Sequence, residues 1–170
     1  MCIRDSGYTP SVVAELPRLL ERCGTSSAGG SITALYTVLV EGDDLNDPIA
    51  DALRSILDGH LVLSRALANH GHYPAIDLLH SVSRLLPDLA TAAEQQLARQ
   101  ALALLAAHDK NHQMVEIGAY RAGTNPQLDR AIRLVPELNR FCQQEVDQPV
   151  ARADALRALQ ALLGAEKAAG

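Results

Sequence analysis

The side chains best suited to chemistry are concentrated in residues 71–84, GHYPAIDLLHSVSR. Tyr73 precedes Pro74. A proline pushes the residue before it into extended backbone and donates no backbone hydrogen bond, so the pair reads as a turn. A tyrosine at such a turn ordinarily packs its ring and exposes its hydroxyl. Asp77 is a buried-looking acid in an apolar run, and Arg84 closes the stretch beside small hydroxyls. The planar, permanently charged fork of an arginine suits a phosphate, but a salt-bridged surface arginine has the same sequence signature. Spacing alone does not choose between these two readings.

Two other groups invite a metal reading and fail it on pattern. His60, His70, His72 and His80 fall close together, but His70 and His72 flank a glycine and the other two lie in separate segments, so ordinary structural histidines are expected. Asp43, Asp44 and Asp47 in EGDDLND lack the alternating oxygens, glycine and distal glutamate of a calcium loop, and read as a solvated acidic loop or a partner contact. No metal ligands are assigned. The sequence contains no GxxxxGK[ST], GxGxxG or HExxH and no nucleophile elbow, hence no self-sufficient active site. Arg84 then makes sense either as a surface charge or as an accessory arginine that finishes a site belonging to another subunit.

Composition bounds what can position these residues. The chain of 170 residues is long enough for a real core, and its 48% hydrophobic but only 3% aromatic content favours helices and aliphatic layers. A net charge of −5 argues against nucleic-acid binding, which needs a basic face. Cys2, Cys23 and Cys142 are odd in number and widely spaced, which fits a reducing, cytosolic setting rather than a disulfide framework. No apolar run approaches the roughly 20 residues of a spanning helix.

Along the chain, residues 1–6 show no pattern and read as a foreign or disordered leader. Thr9 and Pro10 open a helix that ends by Cys23 and Gly24, with Val12, Val13, Leu16, Leu19 and Leu20 on one face. Residues 31–40, SITALYTVLV, are β-branched and apolar on both faces, which predicts a strand in a covered parallel sheet. Asp47 and Pro48 open a second helix. A strand at 60–63 and a short helix at 64–69 follow. From about Pro87 leucines recur at helical spacing, with separate helices expected up to Leu105, over 110–120, after Pro126, after Pro136 and over 150–163. The expected organisation is α/β plus all-α: residues 7–88 as the C-terminal portion of an α/β domain, and 89–170 as a helical domain.

The runs GYTPSVVAELPRLLERCG, GSITALYTVLVEGDDLNDPIADALRSILDGHLVLSRALANHGHYPAIDLLHSVSRLLPDL and IGAYRAGTNPQLDRAI resemble the C-terminal part of the flagellar and type III secretion export ATPases. These are homo-hexameric relatives of the rotary ATP synthase α and β subunits. The resemblance covers about residues 7–144, and GSIT, DDLNDPIAD, LDGH, VLSR, GHYPAID and SVSR stand in the family's order. It implies a truncated RecA-like, parallel-sheet nucleotide-binding domain followed by the helical domain. It implies Mg-ATP hydrolysis coupled to protein export by a cytoplasmic enzyme, peripheral at the inner-membrane export gate.

By the same resemblance Arg84 falls on the arginine finger that reaches the γ-phosphate held by the neighbouring subunit, and Tyr73 on the aromatic that packs against adenine. Asp43, Asp44 and Asp47 fall in the loop facing a coiled-coil central stalk. The helices resemble the domain that meets the stalk and export chaperone-substrate complexes, with an adenine-side residue falling somewhere in 141–145. The family's phosphate-binding loop, magnesium-orienting acid and water-activating glutamate lie before GYTP and have no counterpart in this sequence, so a fragment inactive by itself is expected. Two alternatives remain: a non-enzymatic helical module that binds stalk or chaperones, and a synthase-type subunit. The motifs do not separate a flagellar from an injectisome system.

Overall fold

The computed structural model describes residues 10–40 and 47–164. They form two compact units, dividing between His60 and Leu61.

In the first unit α1 (Pro10–Leu20) is followed by two short strands, β1 (Gly24–Thr25) and β2 (Ser31–Ile32), and by α2 (Pro48–Ile56). Asp47 caps α2: its Oδ1 accepts from the Ala50 N–H at 3.0 Å, satisfying one of the backbone donors a helix start leaves open. α1 and α2 bury Leu20 and Leu53 against each other, flanked by Leu16 and Leu57. β1 and β2 pair antiparallel, Gly24 opposite Ile32 and Thr25 opposite Ser31.

The expected strand over 31–40 is a point of difference. Only Ser31–Ile32 pairs, residues 33–40 have no regular structure, and Leu35 and Leu39 are 95% and 87% exposed. A strand apolar on both faces needs partners on both edges and cover on both faces, and the described residues supply neither. The parallel sheet predicted from that run is accordingly not found among the described residues, whose sheets are two-stranded.

The second unit contains β3 (Gly59–Leu63, from Leu61 onward), α3 (Arg65–Asn69), β4 (Ile76–Ser83), α4 (Leu86–Leu89), α5 (Ala92–Glu116), α6 (Pro126–Cys142) and α7 (Arg152–Gly164). β3 pairs with β4. α5, α6 and α7 pack on one another around Leu104, Leu128, Ala131, Leu134, Val135, Leu138 and Leu163, and β4 packs on α5.

Caps set the helix ends. Ser64 caps α3 through the Leu67 N–H, and Thr91 with Glu94 forms a full capping box at α5. Asn125 accepts from Gln127 and Leu128, with Pro126 at the first turn of α6. The Tyr120 hydroxyl donates to Asp129 Oδ1 at 2.9 Å and the Gly123 N–H to Asp129 Oδ2 at 2.9 Å, tying the 121–125 turn to α6.

Two boundaries expected in the helical part are absent. α5 runs unbroken through 110, because nothing between Leu105 and Lys110 stops a helix. α6 likewise runs through Pro136. Proline removes one helical hydrogen bond, and here Leu134, Val135 and Leu138, all buried, hold the surrounding turns in place.

Candidate functional site

The loop between α3 and β4 is stapled by backbone bonds. The His72 N–H donates to Leu67 O at 3.0 Å and the Ser64 N–H to Ala75 O at 2.8 Å. Gly71 follows α3 at φ +71°, a conformation that disfavours any side chain. The Tyr73–Pro74 peptide is cis, and the Tyr73 ring stays 59% exposed. The Tyr73 carbonyl accepts from the Gln144 N–H at 3.0 Å, so the segment that follows α6 is held against the loop. The loop thus presents an aromatic face to solvent on a backbone fixed from two sides.

Asp77 is half-buried, and its carboxylate organises β4 rather than facing a ligand. Oδ1 accepts from the Leu79 N–H at 3.0 Å and the His80 N–H at 3.1 Å, and Oδ2 lies 2.9 Å from His80 Nδ1. The Ser81 hydroxyl donates to Asp77 O. This is an Asx-type turn set into the strand.

Arg84 follows the last residue of β4 and is exposed. Eight strand residues span at most about 26 Å, and the Asp77 turn shortens that reach. Tyr73, in the loop before β4, and Arg84, just after it, therefore flank opposite ends of the strand. The structure does not bring them together into one pocket.

His70, His72 and His80 border a cleft of about 310 Å³, whose other wall includes His108 and His112 on α5 and Cys142 on α6. Among the described residues no three His, Cys, Asp or Glu side chains converge to hold a metal ion. Burial pushes the Cys142 thiol up, away from its reactive thiolate form. Asp43 and Asp44 lie outside the described residues, and Asp47 caps α2.

Sequence reasoning missed the Asp77–His80 pair, although the short i, i+3 spacing of an acid ahead of backbone donors is the mark of an Asx turn. It left unassigned the adenine-side residue expected somewhere in 141–145, the segment whose Gln144 N–H bonds to the Tyr73 carbonyl. That bond carries no side-chain signal, because it is made by the backbone of Gln144.

The comparisons with known proteins are decisive at this point. Residues 2–83 match the ATP synthase alpha/beta family, nucleotide-binding domain, and residues 90–161 match the T3SS EscN ATPase C-terminal domain. The chain belongs to the flagellar and type III secretion ATPases of the ATP synthase α/β family. It is 53% identical to the flagellum-specific ATP synthase of Salmonella typhimurium over 90% of its own length and 34% of that protein's.

The chain also superposes on the assembled ATPase EscN of the enteropathogenic E. coli type III secretion system. The TM-score is 0.87 at 40% identity, covering 92% of this chain and 38% of that one. EscN solved in complex with its central stalk EscO gives a TM-score of 0.81 at 38% identity, covering 92% and 37%. This chain spans about a third of the length of the curated relatives it matches, 36% and 34% for two of them. It comprises part of the nucleotide-binding domain, then the helical C-terminal domain of this ATPase family.

Proposed function

We propose that these residues serve a ring-forming ATPase that hydrolyses Mg-ATP to drive flagellar or type III protein export, with Tyr73 and Arg84 working in two different nucleotide sites. Tyr73 packs against adenine in its own subunit's site, and Arg84 reaches the phosphates held by the neighbour as an arginine finger. The observation that carries this reading is their placement at opposite ends of β4, the Tyr73 ring and Arg84 both exposed. The bond from Gln144 to Tyr73 supports an adenine pocket closed on one side by the segment after α6. Arg84 suits the role because its fork can meet charge that develops on transferring phosphoryl oxygens.

Nothing in this sequence is assigned to the phosphate cradle or to Mg²⁺, so the 170 residues by themselves are expected not to turn ATP over. The ring is a homo-hexamer at the cytoplasmic face of the inner membrane. Its acidic loop, Asp43, Asp44 and Asp47, meets a coiled-coil stalk, and its helical domain meets the stalk and export chaperone-substrate complexes.

Arg84→Ala in a complete, assembled enzyme carrying these residues should lower turnover by about a thousandfold or more, the usual worth of an arginine finger. Near-normal hydrolysis by an assembled variant ring would overturn the assignment. Mixing the 170-residue chain with full-length subunits separates this reading from that of a non-enzymatic helical module. Entry into rings with an Arg84-dependent change in activity supports the first; stalk or chaperone binding without entry supports the second.

A further inference from the structure

Five of the chain's six histidines line one cleft. One wall, from α3 to β4, presents His70, His72 and His80, and the other, α5, presents His108 and His112. His72 is buried, and the rings of His108 and His112 meet edge to face with centroids 5.8 Å apart. His70 Nδ1 lies 2.8 Å from Ala66 O. The acids on the same walls are Asp77, whose carboxylate already holds Leu79 and His80, and Asp109 on α5. Glu116 reaches His112 at 3.4 Å from outside, and α6 adds Asn139 and a neutral Cys142 thiol.

Histidine is the side chain that gains its charge between pH 8 and 5. With neutral imidazoles the two carboxylates give the lining a formal charge of −2; with all five protonated it becomes +3. The added charge lies on both walls at once; Asp77 and Glu116 offset part of it at His80 and His112, and the remainder repels across the cleft as well as along α5.

We propose that this cleft is an acid-sensitive joint: protonation of its histidines loosens β4, and the Arg84 at its end, from α5. The inference stands on the cleft itself and does not depend on the role given to Arg84.

Burial, then neighbouring His112, holds His108 below the ordinary value of 6.5, against the pull of Asp109. A base whose folded pKa is depressed contributes its full stability above the unfolded value. That stability falls as pH drops through about 6.5 and goes on falling until the folded state itself takes up the proton.

The test is amide hydrogen exchange on the whole 170-residue chain at pH 7.5 and 5.5, corrected for intrinsic rates, with H80Q/H108Q/H112Q alongside. Protection of Ile76–Ser83 should fall severalfold in the unaltered chain and stay level in the triple variant. Protection over 134–138, in the α6 core, should hold in both. A level β4 profile in the unaltered chain, an equal fall in the triple variant, or a parallel loss over 134–138 each overturns the proposal. Should the triple variant fail to fold, imidazole titration of the unaltered chain by NMR decides. His108 should titrate below 6.5 with the β4 amide resonances moving in step; β4 resonances that ignore the His108 titration overturn the joint.

Discussion

Tyr73 keeps its ring in solvent while its backbone is among the better fixed in the chain, held through Gln144 on one side and the α3 loop on the other. An exposed aromatic on a fixed backbone loses little conformational freedom when it stacks on a flat ligand, which suits the adenine contact proposed for it. In a complete enzyme, Tyr73→Ala should weaken nucleotide binding by about 5- to 150-fold, from about 1–3 kcal/mol of stacking, with Tyr73→Phe close to the parent. Fluorescent-nucleotide titration reads this directly, and equal losses in the two variants would assign the effect to the hydroxyl. The residue scale is also where sequence reading reached least evenly. Motif order singles out Arg84 and Tyr73 as candidates, whereas the role of Asp77 depends on where backbone N–H groups point, which residue types do not encode.

The start of α5 shows how one element ties two others together. The Thr91 backbone N–H donates to Glu94 Oε2 at 2.7 Å, the Glu94 N–H returns to the Thr91 hydroxyl, and Arg152 at the head of α7 reaches Glu94 Oε1 at 3.0 Å. Thr91→Ala should cost about 1 kcal/mol, the typical worth of an N-cap, measured by denaturant unfolding of the second unit. The Thr91 N–H holds the Glu94 carboxyl below its ordinary 4.5, opposed by its partial burial and assisted by the Thr91 hydroxyl and Arg152. A carboxyl depressed in the folded state contributes stability that is present above pH 4.5 and lost as pH falls through the folded value. Glu94→Gln should therefore flatten the stability profile below pH 4.5, and an unchanged acid limb would remove Glu94 from the account.

Elements whose signals are local, such as the caps at Asp47, Thr91 and Asn125, are the ones sequence exposes, because cap and partner lie within three residues. The run 31–40 shows the converse. Its apolar pattern specifies a strand only where neighbouring strands exist to pair with it, and a pattern cannot report whether they do. Pro136 misleads for a related reason: a proline signals a helix start until buried neighbours on both sides outweigh its lost hydrogen bond.

At the scale of the whole chain, the two units have cores of very different extent. Among the described residues the first is built on Leu20 and Leu53 with two half-buried leucines beside them, while the second holds a cluster of seven buried side chains, Ala131 at 0% and Leu138 at 1% exposure among them. Stabilisation scales with apolar area removed from water, so the second unit should hold its amides longer and the first should open at lower free energy. Leu138→Ala removes a fully enclosed side chain and should cost about 2–5 kcal/mol, with exchange rising across residues 92–164. Leu53→Ala has the same chemistry in the smaller core and should raise exchange across α1 and α2 while leaving α5–α7 unchanged. If either substitution instead speeds exchange equally in both units, the chain unfolds as one cooperative body, and the independence assigned to the helical bundle is lost. Separate responses would mean that the α5–α7 bundle holds its structure without help from the first unit.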